Sequence, residues 1–410
     1  MSTVGQLGER IASLAKNVEE QRLNDASAAE KQRTALELAE TSRQLEQLVL
    51  GPTQTLGMMA FSVQDASSLG VIVNFDIPKF VPSEGSVSFA ELSSQCRLDE
   101  DRLTRILRYA MINHIFREEP AGHVRHTPLS SHLAQSPTFC DFLRNVTVVF
   151  NPVNACLPVA LSRYPQTHSL AESAHGVARQ TDLPFYEWLE RDENLALRRT
   201  FDKGMEGISR GGQRLQDTDL RAYPWGELPD GAVVVDMGGS GGHFARGLAA
   251  AYPTFSVVVQ DLPRVIQQSV EDQKSSPGSE SVTYQAHNLF DPQPVKNADV
   301  YFMRYVFHNH PDAECVKILT ELLPALKQGA RVLVSEGVIP PATELTGGGL
   351  ATKAMRQMDL LSMAVFNSKE RTKEEYSKLF QMASSALVFR DTYQVPEDPR
   401  SCIFEAVFQG

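Results

Sequence analysis

A glycine-rich turn between two apolar runs is the segment of this sequence best suited to hold a ligand. In VVVDMGGSGGHFARGLAAAYPTFSVVVQD, the first run ends at Asp236 and the second ends at Asp261, 25 residues later. Glycines such as Gly238 let the backbone turn tightly, and an acid ending the second strand can accept hydrogen bonds from a ribose diol. The pattern predicts a nucleoside site, although a tight strand-to-helix turn without a ligand needs the same glycines.

The charge at the mouth of this turn indicates which nucleoside fits. No Lys-Ser or Lys-Thr pair follows the glycines, so a phosphate-binding P-loop is not supported. The Asp236 carboxylate would repel a pyrophosphate, but it could hold the cationic aminocarboxypropyl chain of a sulfonium compound. Electrostatics therefore favours S-adenosylmethionine over a dinucleotide.

His308 is the residue best suited to remove a proton. It follows the apolar run ADVYFMRYVF, which places it at the carboxyl end of a sheet, where ligands bind in open α/β folds. An imidazole has an unperturbed pKa of about 6.5 and suits general base catalysis. A histidine that only caps the following helix is the alternative. Arg304 lies in the same run, where a charge is costly unless a ligand or an acidic neighbour pairs with it.

The segments around these residues alternate between strands and helices from Gly231 onward. VVVDMGG, SVVVQDLP, ADVYFMRYVFH and RVLVSEGVIP have the pattern of buried strands, and HFARGLAAAYP and ECVKILTELLPALKQGA that of helices. This alternation predicts a mostly parallel sheet in a doubly wound domain. The predicted fold class of this half is therefore α/β.

The first half of the chain is predicted to be mostly helical. Residues 1–50 contain no proline and carry spaced apolar residues, a thin helical face that a second copy of the chain could cover. A partly frayed leader is the alternative. Further along, two amphipathic segments precede HIFREEPAGHVRHT, which has the pattern of two short strands around Ala121-Gly122. This order resembles a winged helix-turn-helix.

Composition limits the class of partner. The chain has 50 acidic and 39 basic side chains and a formal charge of −11, which argues against a nucleic acid partner. Five scattered cysteines without a CxxC pair indicate reduced thiols and no zinc site. The N-terminus lacks a continuous apolar core, and residues 146–162 are interrupted by proline and asparagine. We therefore expect no secretory signal, no membrane partner and a cytoplasmic location.

Six motifs occur together along the chain, namely DMGGSGGH, QDLP, NLF, RYVFHNHPD, SEGVIP and SKERT. In this order they resemble the plant-type and fungal small-molecule O-methyltransferases, a family that includes fungal pericyclase offshoots. The resemblance covers nearly the whole chain. It implies a helical leader over residues 1–50, a mostly α-helical winged-helix dimerisation domain over 51–200, and a Rossmann-like S-adenosylmethionine-binding domain over 201–410. It also implies a homodimer, a small-molecule substrate and no metal.

The resemblance further implies the roles of individual residues. His308 matches the catalytic base, and Glu336 and Glu370 match the carboxylates that flank it, although Glu370 could also be a charge near a helix start. The predicted cofactor contacts are Asp236, Gly238, Asp261, Leu262, Asn288, Leu289 and Arg304. The predicted substrate-lining residues are Phe201, Met205, Met358, Met363, Phe366 and His126. Core packing would explain the methionines equally well, and a structural role would explain His126.

Several positions depart from the family pattern. Ser240 stands where many members have glycine, and Asn288 where aspartate is usual. Asn309 and His310 stand where the family commonly has aspartate and an aromatic residue. These differences leave the adenine contact of Asn288 and the cofactor face beside His308 open.

Three hypotheses for the function follow. The leading one is methylation of a hydroxyl on a small aromatic or polyketide-like metabolite, with His308 as general base. The second is a pericyclase or dehydratase that binds S-adenosylmethionine and uses its sulfonium charge without methyl transfer. In that case Arg304, His308 and His126 would act as hydrogen-bond donors. The third is a non-catalytic binding or regulatory protein on the same scaffold.

Overall fold

The computed structural model describes residues 2–24, 26–211, 213–273, 282–339, 349–394 and 401–410. The chain divides into two compact units. Unit 1 consists of Met1–Ala155, Trp188–Gly211 and Gly349–Ala351, and unit 2 of Cys156–Glu187, Gly212–Gly348 and Thr352–Gly410. This division differs from the three consecutive segments predicted above, because residues 156–187 group with unit 2.

The helices and strands are numbered in chain order. The helices are α1 (Val4–Leu23), α2 (Ala28–Phe61), α3 (Val63–Asn74), α4 (Ile77–Phe80), α5 (Phe89–Cys96), α6 (Glu100–Ile112), α7 (Pro128–Gln135), α8 (Pro137–Arg144), α9 (Asn151–Asn154), α10 (Leu157–Arg163), α11 (Ala174–Arg179), α12 (Phe185–Leu189), α13 (Leu195–Gly211), α14 (Gln213–Ala222), α15 (His243–Ala251), α16 (Pro263–Gln273), α17 (Asp312–Leu322), α18 (Leu350–Phe366) and α19 (Lys373–Ala383). The strands are β1 (Val87–Ser88), β2 (Arg117–Glu118), β3 (His123–Arg125), β4 (Val233–Met237), β5 (Ser256–Asp261), β6 (Val282–Ala286), β7 (Val300–Arg304), β8 (Arg331–Gly337), β9 (Leu387–Gln394) and β10 (Ser401–Phe408).

Unit 1 contains the predicted winged-helix pattern. Helices α5 and α6 are followed by the β2–β3 hairpin, and β1 completes a small antiparallel sheet in the order β1-β3-β2. Helix α5 begins where Ser88 and Glu91 form a capping box, which satisfies backbone N–H groups of the first turn. Leu92, Leu103 and Val124 are fully buried in the core that these elements share.

The N-terminal segment forms two helices, as its periodicity predicts. Leu7 and Leu14 of α1 are buried. Helix α2 bends at Gly51, whose φ is 72°. The exposed apolar residues along and just after α2 are Leu36, Leu48, Val49, Leu56, Met58, Met59, Phe61 and Val63. By length and composition, residues 30–74 and 137–163 could cross a membrane, which is weak evidence because soluble core helices pass the same test. The absence of a membrane partner therefore stays a prediction.

Unit 2 confirms the predicted α/β class. Its sheet has the order β6-β5-β4-β7-β8-β10-β9, with β4 to β8 parallel and β10 antiparallel to both of its neighbours. Successive residues of β4, Val234 and Val235, belong to separate cores on the two faces of the sheet. The strand order reverses between β4 and β7, and ligands bind at the carboxyl edge of such a switch point.

Candidate active site

The glycine turn leaves the carboxyl end of β4 at this switch point. Gly238, with φ 75°, and Gly239 both donate their N–H groups to the Gln260 carbonyl on β5, at 2.7 and 3.1 Å. A Cβ atom on Gly239 would lie 2.5 Å from Asp236 Oδ2 and 3.0 Å from Val259 Cγ1. Gly239 therefore has to be glycine because the Asp236 carboxylate fills the space beside it.

The Asp261 carboxylate closes the other side of the turn. Its Oδ2 accepts a hydrogen bond from the Ser240 N–H at 2.8 Å, and its Oδ1 accepts one from the Leu262 N–H at 2.7 Å. Three predicted cofactor positions, Gly238, Asp261 and Leu262, thus lie at adjoining ends of β4 and β5. The two backbone N–H groups fix the direction of the carboxylate that we expect to face a ribose.

Ser240 is the residue of this turn that departs from the family pattern, and its backbone is left-handed, with φ 49°. A left-handed conformation costs a residue with a side chain about 1–2 kcal/mol, whereas the extra chain entropy of glycine costs about 0.5–1 kcal/mol. We therefore expect Ser240→Gly to raise the free energy of unfolding by about 0.5–1 kcal/mol in urea titrations. Ser256→Gly, in strand β5, is the control and should lower it; a loss of stability in Ser240→Gly would contradict the prediction.

The buried Asp236 carboxylate lies near two further acids, Asp261 and Asp219, and near the Arg304 charge. Asp236 is 2% exposed, and its Oδ2 has no hydrogen-bond partner within the described part of the chain. Burial raises the pKa of Asp236 to about 7; the Arg304 charge lowers it, and Asp261 and Asp219 raise it further. Arg304 Nε pairs with Asp219 Oδ2 at 2.6 Å. An unpartnered buried carboxylate among further acids fits the cationic end of the predicted cofactor.

The sequence left open whether a ligand or an acidic neighbour pairs with Arg304. The structure shows an acidic neighbour, Asp219. The sequence analysis missed Asp219, because an acid in the polar helix α14 looks like an ordinary surface residue. It is 3% exposed, and its Oδ1 accepts a hydrogen bond from the Ser335 hydroxyl on β8. Arg304 thus has an acidic partner within the protein before any ligand is considered.

Asn288 and Leu289 lie in the loop after β6. Asn288 is exposed, and its side-chain oxygen accepts a hydrogen bond from the Phe290 N–H at 3.1 Å. Leu289 is half-buried beside Gly238, where a Cβ atom would meet it at 3.9 Å. The structure therefore brings Leu289 to the glycine turn, while the side chain of Asn288 caps its own loop.

His308 lies in a short 3-10 turn, Phe307–Asn309, beyond a strand that ends earlier than the apolar run before His308 predicts. Strand β7 ends at Arg304, and Tyr305 takes a left-handed conformation with φ 52° that turns the chain away from the sheet. The His308 Nδ1 atom is 3.0 Å from Glu370 Oε1. Within the described residues, Nδ1 is the ring atom that makes a side-chain hydrogen bond, and the other nitrogen, Nε2, makes none.

Glu336 holds the backbone of the turn rather than the imidazole ring. Its Oε1 accepts hydrogen bonds from the N–H groups of Phe307 and His308, at 2.6 and 3.4 Å. Its Oε2 is buried without a hydrogen-bond partner among the residues described. The two carboxylates matched to the family therefore make different contacts: Glu370 with the ring and Glu336 with the turn.

These contacts shift the pKa values of the group. Burial lowers the pKa of His308, but the charges of Glu336 and Glu370 outweigh it, so that the net shift is upward. Burial raises the pKa of Glu336 to about 7, against the opposing charge of His308. Burial and the neighbouring charge of His308 lower the pKa of His310 to about 4, which leaves His310 neutral at pH 7.

Part of the predicted substrate lining lies in unit 2, on helix α18. Phe366 is buried and stacks on Tyr186, with ring centroids 5.5 Å apart. Burial, and then the charge of Asp261, raise the pKa of Tyr186. Met363 is half-buried, whereas Met358 is 45% exposed. Tyr186 lies in the polar-rich segment FYEWLERDE, where no sequence pattern indicates a substrate-lining role.

The other predicted lining residues belong to unit 1. Phe201 packs edge-on against Phe150, and Met205 is half-buried on α13. His126 uses both ring nitrogens within the unit, Nδ1 with the Ser130 hydroxyl at 2.9 Å and Nε2 with the Val81 carbonyl at 3.1 Å. This is the structural arrangement that the sequence analysis gave as the alternative to a substrate contact.

Comparison with known proteins identifies relatives over most of the chain. An O-methyltransferase domain model matches residues 165–385. O-methyltransferase aurJ of Gibberella zeae is 30% identical, with 90% of this chain and 85% of aurJ covered. A chlorophenol O-methyltransferase of Trichoderma longibrachiatum is 33% identical, with 90% and 78% covered.

Solved structures share the fold at lower identity. The structure of OxaC in complex with SAH and oxaline has a TM-score of 0.82 at 23% identity and covers 99% of each chain. A structure described as a pericyclic reaction enzyme has a TM-score of 0.77 at 22% identity, covering 98% of this chain and 100% of the other.

Proposed function

The chain belongs to the O-methyltransferase family, and from that premise we propose that it methylates a hydroxyl group of a small aromatic or polyketide-like metabolite. The observation that carries this proposal is the contact of His308 Nδ1 with Glu370, which leaves Nε2 for the substrate hydroxyl. A carboxylate that accepts the Nδ1–H fixes the tautomer in which Nε2 is the base.

S-adenosylmethionine is the cofactor of this family, and it supplies an electrophilic methyl group on a sulfonium. We assign its amino acid end to the unpartnered carboxylate of Asp236 and its ribose to Asp261. Leu262 and Leu289 provide apolar surface beside these acids. The negative charge around Asp236 favours binding of a cation, since opposite charges attract strongly where water is excluded.

The protein's own part in the reaction is to remove one proton at a fixed position. His308 Nε2 accepts the hydroxyl proton of the substrate, and the resulting imidazolium is stabilised by Glu370 at Nδ1 and by the nearby charge of Glu336. The Glu336 carboxylate holds the turn through its two backbone N–H contacts, so the ring keeps its direction during proton transfer.

The pH dependence follows from the raised pKa of His308. A general base must be neutral, so kcat/KM should fall as the pH drops through the His308 pKa, which lies above its ordinary value. Glu370→Gln removes a charge that raises this pKa, and the acidic limb of the kcat/KM profile should therefore move to lower pH. Glu375→Gln, which keeps the helix-capping pattern of α19, is the control. A limb that stays fixed or moves upward in Glu370→Gln would show that Glu370 does not act on the base.

The function is tested with methyl-labelled S-adenosylmethionine and a panel of phenols that includes chlorophenols, the class named for one relative. A labelled methyl ether among the products supports the proposal. Consumption of a substrate to an unlabelled isomer supports the pericyclase alternative instead. Binding of S-adenosylhomocysteine without turnover of any compound in a wide panel would favour a binding protein.

The pericyclase or dehydratase is the second candidate, and it also uses His308. The raised pKa values of His308 and Glu336 mean that both groups could be protonated near neutral pH and donate hydrogen bonds. A similar fold occurs in a pericyclic reaction enzyme. The methylation proposal takes precedence because Glu370, at Nδ1, is placed to fix the tautomer in which Nε2 accepts a proton.

The remaining proposals concern partners and location. We assign the exposed apolar residues of α2 to a homodimer, which sedimentation of the purified protein would detect. The absence of a nucleic-acid partner remains the expectation from the acidic composition, and a cytoplasmic location remains the expectation from the scattered cysteines and the lack of a signal-like apolar core near the N-terminus.

A further inference from the structure

Arg371 is a fully buried arginine that follows Glu370 directly, in the segment before helix α19. Its guanidinium donates through Nη1 to the Phe307 carbonyl at 2.8 Å and through Nη2 to the His310 carbonyl at 2.7 Å. Its Nε donates to Asp312 Oδ1 at 2.8 Å. The two carbonyls lie on either side of His308 in the sequence, so one planar group binds the turn at both ends.

We propose that Arg371 is a positioning residue for the catalytic base, and that its fork of N–H groups fixes the turn that presents His308 Nε2 to the substrate. The inference rests on the proposed function. It adds a residue that makes no contact with the substrate hydroxyl and acts through the backbone around the base.

Side chains bind both the backbone N–H groups and the backbone carbonyl groups of the turn. Glu336 accepts from N–H groups at its start, whereas Arg371 donates to carbonyls at its start and end. Ser368 also donates to the His310 carbonyl, at 2.7 Å. The Phe307 carbonyl also accepts the turn's own hydrogen bond from the His310 N–H at 3.1 Å. The side-chain contacts add further hydrogen bonds to the short turn, which makes its conformation rigid.

The same segment ties the turn to the sheet. The Arg371 carbonyl accepts a hydrogen bond from the Ile339 N–H at 3.0 Å, and Arg371 forms a parallel bridge with Val338 just beyond β8. Strand β8 carries Glu336, and the residue before Arg371 is Glu370. Two adjoining backbone segments, β8 and the segment before α19, therefore supply the contacts to the His308 ring, to the N–H groups of the turn and to its carbonyl groups.

The geometry requires a guanidinium rather than any positive charge. Arginine presents several N–H donors in a fixed plane, whereas a lysine ammonium is a single point on a flexible stem. A lysine at this position would keep the charge but could not hold both carbonyls and Asp312 at once. The substitution Arg371→Lys thus separates the geometric role from the electrostatic one.

The test compares Arg371→Lys and Arg371→Met with the wild type, using a phenol that the wild-type protein methylates. Because small displacements of a catalytic group cost up to about 100-fold in rate, we expect kcat to fall at least about tenfold in Arg371→Lys and about 100-fold in Arg371→Met. The affinity for S-adenosylhomocysteine, measured by calorimetry, should stay within about threefold, because Arg371 contacts none of the assigned cofactor residues.

Arg331→Lys is the matched control. Arg331 is a largely buried arginine at the start of β8, where it donates to the Tyr223 hydroxyl at 2.8 Å and pairs with Glu405. Its replacement disturbs a comparable network without touching the His308 turn. The proposal is overturned if both Arg371 variants keep kcat within about threefold of wild type, or if Arg331→Lys loses as much activity as Arg371→Lys.

A second readout needs no turnover. In cofactor-free protein with ¹³C-labelled histidine, the His308 ring is titrated. Burial and the charge of Arg371 lower its pKa, whereas Glu336 and Glu370 raise it, and His310 is a further titratable neighbour. Arg371→Lys keeps the positive charge but should loosen the hydrogen bond between the His308 ring and Glu370, which raises the His308 pKa. The titration midpoint of His308 should therefore fall, and an unchanged midpoint contradicts the proposal. If the wild type methylates no phenol, the proposed function fails and this midpoint alone decides the role of Arg371.

Discussion

Replacing His308 by alanine is expected to lower kcat by about 100- to 10,000-fold, the usual contribution of a positioned general base. The affinity for S-adenosylhomocysteine should change by no more than a few-fold, because the acids assigned to the cofactor, Asp236 and Asp261, lie at the ends of β4 and β5. Steady-state kinetics with an accepted phenol, together with calorimetry, measures both quantities.

His132→Ala is the control for the loss of a histidine, because this residue is exposed on α7. It should leave both kcat and cofactor affinity unchanged. Wild-type turnover in His308→Ala would show that another group removes the proton. Under the pericyclase alternative, the same variant should instead lose an unlabelled rearrangement product, so the identity of the lost product separates the two candidates.

The second large effect is expected from Gly239→Ala. The new methyl group would lie 2.5 Å from Asp236 Oδ2 and 3.0 Å from Val259 Cγ1, so the carboxylate must move out of its place. Loss of a hydrogen bond to a charged group costs about 1.5–3 kcal/mol, which corresponds to roughly a 10- to 100-fold weaker binding of S-adenosylmethionine. Calorimetric titration of the cofactor and of S-adenosylhomocysteine measures this change.

Gly241→Ala provides a matched control in the same turn. A Cβ atom there would meet the His243 ring at 3.5 Å, which is an ordinary contact. Its cofactor affinity should remain close to that of the wild type. Equal affinities of the Gly239→Ala and Gly241→Ala proteins would remove the reason for assigning the cofactor's cationic end to Asp236.

The sequence predicted the local elements well because each leaves a periodic pattern in the chain. The apolar run before Asp236, the glycines after it and the run that ends at Asp261 specify a strand, a turn and a second strand. Regular hydrogen bonds form between residues close in sequence or in neighbouring strands, so composition and spacing were sufficient. The same reasoning located the hairpin of unit 1.

The apolar pattern predicted the wrong secondary structure where the backbone departs from strand conformation. The run that includes Tyr305 and Phe307 predicts a strand as far as His308, but Tyr305 takes a left-handed φ and the strand ends at Arg304. Burial rather than strand structure accounts for the apolar residues Val306 and Phe307, which are 7% and 1% exposed.

The sequence alone determined the class of fold, the glycine turn and the identity of the candidate base. Only the tertiary structure decided which distant side chains meet them: Asp219 reaches Arg304 from helix α14, and Arg371 reaches the carbonyls around His308 from the segment before α19. These contacts join residues separated by about 60 or more positions, and they form because sheet and helix packing buries polar groups that must then find partners. The periodicity of a segment depends only on nearby residues, so it does not indicate these long-range contacts. Packing of the whole chain brings the partners together.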